Sequence, residues 1–148
     1  MAASGPRMAL AVLAALGATA VCTAPANAAP YGNDIYVSSE AHIAEDGTIH
    51  LFGVYHCTAP SLAGEVQIKA TVVQEGVRLS IGGGDARCDG TEHEWAAHAT
   101  LRLTPGVHAG EALAEAQLQE VHFGGGLLPR SIETLAEDAH PVTVIDHR

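Results

Sequence analysis

The sequence has little positive charge and a single lysine. Its 148 residues carry 7 Lys and Arg against 17 Asp and Glu, a formal net charge of −10 with histidine neutral, and Lys69 is the one lysine. Nucleic acids and anionic membrane surfaces are polyanions that bind clustered Lys and Arg. The charge balance therefore argues against both as partners. The length is that of one ordinary domain.

The sequence also lacks an apolar run long enough to cross a membrane. Met8–Val21 is uncharged and apolar over about 14 residues, whereas a membrane helix needs about 20. Arg7 precedes this run and the small-x-small sequence Ala26-Asn27-Ala28 follows it, which is typical of a secretory signal peptide. We therefore predict a leader over residues 1–28, cleaved at its end, and a secreted, extracellular single domain over residues 29–148.

Cysteine is scarce, and only Cys57 and Cys88 remain once the leader is removed. Paired thiols normally close in an oxidising extracellular compartment. We therefore expect a Cys57–Cys88 disulfide, which encloses about 32 residues and would add on the order of 3 to 4 kcal/mol to the free energy of unfolding. A redox or metal-binding thiol pair is the alternative, and it would more often have C-x-x-C spacing.

The rest of the chain is a series of apolar stretches separated by turn signals. Residues 35–43 and 48–57 flank Glu45-Asp46-Gly47, and Asp-Gly between two such stretches predicts a hairpin. Within the second stretch, the face that carries Cys57 should be the buried one. The segment 111–123 fits a helix by its Ala, Glu, Gln and Leu content and a strand by its alternation, and we favour the strand. The further predicted strands are 65–74, 77–81, 93–103 and 141–146.

Seven strands with turn signals between them predict an all-β, two-sheet antiparallel sandwich. Two segments between the strands should be loops, Gly82–Gly84 and Gly124–His140, the latter with a turn or short helix over Ser131–Glu137. Loops at the ends of such a domain are the usual places for partner binding. We therefore expect a partner at Thr58–Gly64, at Gly82–Arg87 or at Gly124–His140.

Several short motifs point to a family. They are Ala44-Glu45-Asp46-Gly47-Thr48-Ile49, Gly53-Val54-Tyr55-His56-Cys57, Arg87-Cys88-Asp89-Gly90, Trp95 and Thr104-Pro105-Gly106. Together they resemble small secreted actinobacterial proteins that are grouped as the domain of unknown function 6299 family, over roughly residues 35–145. The resemblance implies an exported, immunoglobulin-like β domain with one disulfide, and it implies no activity. Immunoglobulin domains have their tryptophan between the two cysteines, whereas Trp95 follows Cys88, so the resemblance does not extend to antibody topology.

Nine histidines are the one unusual feature of the composition. Imidazole is the commonest protein ligand for zinc and copper, but neither His-x-His nor H-E-x-x-H occurs in the sequence. His50 and His56 lie about 20 Å apart on an extended strand, which is too far for one ion. We therefore expect scattered, solvent-facing imidazoles and assign no metal ligand or cofactor. The combinations that strand pairing would have to assemble are His42 with Glu40, and His140 with His147.

Catalytic signatures are missing from the sequence. No G-x-S-x-G motif holds a serine nucleophile, and the two glycine runs lack the G-K-[ST] ending of a phosphate-binding loop. Asp85 and Asp89 lack the spacing and the closing glutamate of a calcium-binding loop. Trp95 is expected in the core or over the disulfide rather than at a ligand site.

The leading hypothesis is a secreted, non-enzymatic, monomeric domain that binds an unidentified extracellular protein or surface component. The alternative is a histidine-rich extracellular protein that binds zinc or copper, because nine imidazoles are present. A secreted hydrolase is the third hypothesis, since serine, histidine and aspartate all occur in the chain.

Overall fold

Seven β-strands form the regular structure of the computed structural model, which describes residues 32–58, 64–102 and 106–148. No helix occurs within these ranges, and the predicted leader lies outside them. The segment that fitted both a helix and a strand is a strand, as expected. The strands are β1 (Asp34–Ile43), β2 (Thr48–His56), β3 (Gly64–Gln74), β4 (Val77–Asp85), β5 (Glu92–Thr100), β6 (Gly110–Phe123) and β7 (Pro129–Asp146).

The strands join edge to edge into a closed barrel in the order β1-β2-β5-β4-β3-β6-β7, so the predicted two-sheet sandwich is wrong. The sheet closes because β7, at one end of this order, also pairs with β1 at the other end. One edge pairs antiparallel with β6 from Pro129 to Val144, and the other pairs parallel with β1 from Thr143 to Asp146. The 18 residues of β7 span up to about 60 Å, enough to belong to both sides of the molecule. Alternation and turn signals predict the strands, but they do not show that the last strand pairs with the first and closes the sheet into a barrel.

Backbone pairing is thinnest between β4 and β5. Among the described residues, Gly82↔His98 is the one pair that joins these two strands, whereas β2 and β5 pair at nine positions. The disulfide lies at this seam, because Cys57 follows β2 and Cys88 lies in the connection from β4 to β5. Their Cα atoms are 4.6 Å apart. The predicted Cys57–Cys88 bond is therefore confirmed, and it reinforces a weakly paired part of the barrel.

Two predicted loops are largely strand in the structure. Gly82–Gly84 lies within β4, and most of Gly124–His140 belongs to β7. Glycine normally weakens a strand, but a Cβ at Gly83 would overlap the side chain of Ile68 on β3, so the close approach of these strands requires glycine. The first part of β7 is mostly exposed, and it therefore shows no alternation of buried and exposed positions.

The buried faces of the strands agree with the alternation in the sequence. In β2, Ile49, Leu51 and Tyr55 are buried together with Cys57, as predicted. Trp95 is also in the core, where its indole Nε1 donates a hydrogen bond to the carbonyl of Tyr36 at 3.1 Å. In β3, the alternating apolar residues Val66, Ile68, Ala70 and Val72 are buried.

Candidate metal centre

Three side chains of metal-binding types meet near the end of the β6–β7 hairpin. Glu120 and His122 lie on β6 and Glu133 lies on β7, and one ligand atom from each lies within 4.8 Å of the other two. Nε2 of His122 is 3.8 Å from Oε1 of Glu120. Glu120 is buried, His122 is half-buried and Glu133 is exposed. The cluster therefore extends from the barrel interior to solvent.

Strand alternation places two of these side chains on one face of β6. The even-numbered positions from Ala114 to Leu118 are fully buried, because successive side chains of a strand point to opposite faces. Glu120 and His122 continue this inward series. A carboxylate and an imidazole thus occupy the two positions that follow the apolar part of the strand.

A β-bulge in β7 brings Glu133 to the cluster. The register of β7 against β6 shifts by one residue at Leu135. On the C-terminal side of the bulge the buried positions are even-numbered, as at Val142 and Val144. On the N-terminal side the odd-numbered positions face the same way, so that Glu133 lies directly opposite Glu120.

Gly64 leaves the space that the carboxylate of Glu120 occupies. It begins β3 and pairs with His122. A Cβ at Gly64 would overlap Oε1 of Glu120 and would lie 2.6 Å from its Cγ. The missing side chain at this position therefore allows Glu120 to lie buried beside His122.

The donor types and their spacing fit a divalent transition metal. Zn(II) binds imidazole nitrogen and carboxylate oxygen at about 2.0 to 2.2 Å, so two ligands of one tetrahedral ion lie about 3.3 to 3.6 Å apart. The 3.8 Å between Nε2 of His122 and Oε1 of Glu120 is about 0.2 Å longer, so a small movement of either side chain would bring both atoms to one ion. One nitrogen and two carboxylate groups suit Zn(II) or Mn(II) better than Cu(I), a soft ion that prefers sulfur ligands.

The sequence candidates do not include these three residues. Glu120 and His122 are two positions apart, a spacing that places both on one face of a strand, so this pair was detectable from the sequence. The place of Glu133 depends on the bulge at Leu135, which the alternation of residues does not reveal.

The histidine combinations considered from the sequence are only partly brought together. His42 and Glu40 are neighbours, with Nε2 of the histidine 3.8 Å from Oε2 of the glutamate. His140 and His147 are not joined in this way, because Nε2 of His147 lies 3.1 Å from Nδ1 of His42 instead. His42 and His147 are therefore neighbours at the surface, and His122 lies beside Glu120, while the expectation that no histidine is a metal ligand stays a prediction.

Asp89, Thr91 and His93 form a hydrogen-bonded group beside the disulfide. Thr91 donates from Oγ1 to Oδ1 of Asp89 at 2.6 Å, and Nε2 of His93 lies 2.8 Å from the same oxygen. Hydrogen bonds from Thr91 and His93 hold the pKa of Asp89 well below its usual range. In a serine hydrolase the hydroxyl and the carboxylate contact different imidazole nitrogens, whereas here both contact Nε2. The group therefore stabilises a turn and gives the hydrolase hypothesis no support.

The β6–β7 hairpin ends in an exposed apolar tip. Leu127 is 99% exposed and Leu128 is 82% exposed, and Ile132 on β7 is exposed as well. Large apolar side chains grouped at a surface often mark a binding surface. The tip lies within Gly124–His140, one of the expected partner sites, and binding of a protein or surface component there stays a prediction. Most of Thr58–Gly64, another expected site, lies outside the described residues.

Fold and site together define a disulfide-bridged β-barrel with a candidate metal centre of two glutamates and one histidine. The family model described as "Family of unknown function (DUF6299)" matches residues 31–145. This match covers well over half of the chain, so the chain belongs to that family, as its motifs predicted.

Comparisons with curated proteins and with solved structures do not extend this family assignment. A comparison with curated proteins finds no match. Among solved structures, the chain is similar to the sporulation control protein Spo0M of Bacillus subtilis, with 13% identity and a TM-score of 0.34. The alignment covers 78% of this chain and 49% of that one, so the chain spans about half the length of Spo0M. A helix of the length and apolarity needed to cross a bilayer is not found among the described residues.

Proposed function

We propose that this protein is a secreted, non-enzymatic binding domain whose ligand is a divalent metal ion, Zn(II) or Mn(II), held by Glu120, His122 and Glu133. The observation that carries the proposal is the meeting of three ligand atoms within 4.8 Å of one another. The proposal gives a ligand to the binding module expected from the sequence. It favours the metal-binding alternative, with a site that contains more carboxylates than imidazoles.

The electrostatics of the cluster support a bound cation. Glu120 is buried, and burial of a carboxylate removes its hydration. Glu133 lies directly opposite on the neighbouring strand, where like charges repel. A dication between the two carboxylates would offset both effects, and the exposed side of the cluster at Glu133 gives the ion a path from solvent.

Secretion is part of the proposal and has two supports. The first is the signal-peptide pattern over residues 1–28. The second is the Cys57–Cys88 disulfide, because disulfides persist in oxidising compartments. The intact mass of the protein recovered from culture medium, measured before and after reduction, tests both points. A mass that still includes the leader would contradict cleavage.

The test of the metal centre compares two glutamates of β7. Glu133→Gln removes a proposed ligand from an exposed position, and Glu137→Gln removes the same charge from an exposed position outside the cluster. Mn(II) is followed by its electron paramagnetic resonance signal in the full chain after treatment with a chelator. We expect wild type and Glu137→Gln to bind Mn(II) alike, and Glu133→Gln to bind it at least about tenfold more weakly.

A second pair of variants tests the nitrogen ligand. His122→Asn should weaken the binding of Zn(II), measured by calorimetry, whereas His140→Asn on β7 should not. Equal binding by the two glutamate variants, or no binding of Mn(II) and Zn(II) by wild type, would overturn the proposal.

A further inference from the structure

Four imidazoles form a row across the outside of the barrel. His42 on β1 lies opposite His50 on β2, and His50 lies opposite His98 on β5. His147 follows β7 and lies against His42, with ring centroids 5.4 Å apart and ring planes 15° from parallel. These four residues, here named the histidine row, share no member with the cluster of Glu120.

Closure of the barrel brings His147 to the other members of the histidine row. The parallel pairing of β7 with β1 carries the end of the chain alongside His42, and the backbone N–H of His147 donates to the carbonyl of Ile43 at 2.9 Å. The guanidinium of Arg148 binds the carboxylate of Asp146 through contacts of 2.5 to 3.1 Å. The residues on both sides of His147 are therefore held in place, although the imidazole itself lies at the surface.

We propose that His42 and His147, at one end of the histidine row, bind one Cu(II) ion through Nδ1 of His42 and Nε2 of His147, and that this pair is a second metal site of the protein. The two nitrogens are 3.1 Å apart. Two imidazole nitrogens at about 2.0 Å from one ion lie about 2.8 Å apart at a right angle and about 3.3 Å apart at a tetrahedral angle. The observed separation lies between these values, so the distance between the two nitrogens is that of two ligands of one ion.

The carboxylate of Glu40 lies near the second ring nitrogen of His42. Its Oε2 lies 3.8 Å from Nε2 of His42, the nitrogen that does not face His147. A metal-bound histidine usually donates its other ring N–H to a carboxylate, which fixes the tautomer and makes the ligand more basic. At 3.8 Å the carboxylate is beyond hydrogen-bond distance of this nitrogen in the structure, and we expect it to close on the N–H when the ion binds. Glu40 would then be a positioning residue that leaves Nδ1 of His42 available to the ion.

The donor type favours Cu(II). Imidazole binds zinc, copper and nickel, and among divalent first-row metals copper has the highest affinity for a given site. The remaining pair, His50 and His98, has ring centroids 6.1 Å apart. The rings of His42 and His147 are closer, with centroids 5.4 Å apart and two ring nitrogens 3.1 Å apart. The ion is therefore placed at His42 and His147.

The test uses His147→Asn, with His140→Asn as the matched control, because both imidazoles are exposed and only the first belongs to the row. Cu(II) binding to the full chain is followed by electron paramagnetic resonance. Wild type and His140→Asn should bind Cu(II) with a signal from nitrogen ligands, and His147→Asn should bind it at least about tenfold more weakly. Glu40→Gln should weaken binding about tenfold but keep the nitrogen signal.

The two proposed metal sites can be tested independently of each other. His147→Asn should keep wild-type Mn(II) binding at the cluster of Glu120, and Glu133→Gln should keep wild-type Cu(II) binding at the histidine row. Equal Cu(II) binding by His147→Asn and His140→Asn would overturn the inference. In that case the 3.1 Å contact is a hydrogen bond between two imidazoles and nothing more.

Discussion

Replacing Cys57 and Cys88 together by alanine should remove a large part of the stability of this protein. The disulfide joins residues 31 positions apart. Closing a loop of about 32 residues lowers the entropy of the unfolded chain by about 12 cal/mol/K, which corresponds to about 3.7 kcal/mol at 25 °C. A typical domain has a free energy of unfolding of about 5 to 15 kcal/mol. The double variant should therefore lose roughly a quarter to three quarters of that value.

The structure also predicts which part of the barrel loses stability in the double variant. Hydrogen bonds hold the connection from β4 to β5 against β2: the N–H of Gly90 donates to the carbonyl of Cys57 at 2.9 Å, and the N–H of Arg87 donates to the hydroxyl of Tyr55 at 2.8 Å. These bonds remain in the variant. Since Gly82↔His98 is the one described backbone pair between β4 and β5, local opening should begin at this seam.

Denaturation by guanidinium chloride measures the change in the free energy of unfolding, and hydrogen exchange read by mass spectrometry locates it. We expect faster exchange in β4 and in residues 86–91 of the double variant, with β6 changed least. A free energy of unfolding within about 1 kcal/mol of wild type would refute the magnitude. An equal increase of exchange in β4 and β6 would refute the role of the disulfide at the seam.

Two further predictions concern a glycine and a titrating histidine. A Cβ at Gly53 would overlap the carbonyl oxygen of Tyr36 and lie 2.7 Å from Cε2 of Trp95, whereas one at Gly82 meets nothing within 4 Å. Gly53→Ala should therefore lower the free energy of unfolding by about 1 to 3 kcal/mol and alter the fluorescence of Trp95, and equal stability of Gly53→Ala and Gly82→Ala would contradict this. The carbonyl of Ala109 and the carboxylate of Glu75 raise the pKa of His108, so its contribution to stability is complete below the ordinary pKa of about 6.5 and is lost as the pH rises through the raised value. Titration by NMR should show a pKa above the ordinary value in wild type and a smaller shift in Glu75→Gln; an ordinary pKa in wild type would exclude these contacts.

The parts of the fold that depend on neighbouring residues follow from the sequence. The hairpin between β1 and β2 is an example: Gly47 has a φ of 81°, and Oδ1 of Asp46 accepts a hydrogen bond from the N–H of Thr48 at 2.9 Å. The buried faces of β2 and β3 follow from alternation in the same way. Closure of the barrel does not follow, because it requires β7 to pair with the distant strand β1 as well as with β6.

Like the fold, the candidate metal centre follows only in part from neighbouring residues in the sequence. The i, i+2 spacing of Glu120 and His122 is local, and it places both side chains on the inward face of β6. Glu133 is 13 residues beyond Glu120, and it reaches the cluster only because the register of β7 shifts at Leu135. The three residues of this site therefore do not form a contiguous sequence motif.

Both proposed sites depend on β7, the strand that closes the barrel. Its N-terminal part supplies Glu133 to the carboxylate-rich cluster, and the residue after its C-terminal end, His147, completes the imidazole pair with His42. The bulge at Leu135 lies between the two, so the register that positions Glu133 is set separately from the parallel pairing with β1 that positions His147. Strand pairing, rather than the number of histidines, therefore determines which side chains can share an ion. The two sites differ in donor type for the same reason, since β7 reaches an inward carboxylate on β6 and an outward imidazole on β1.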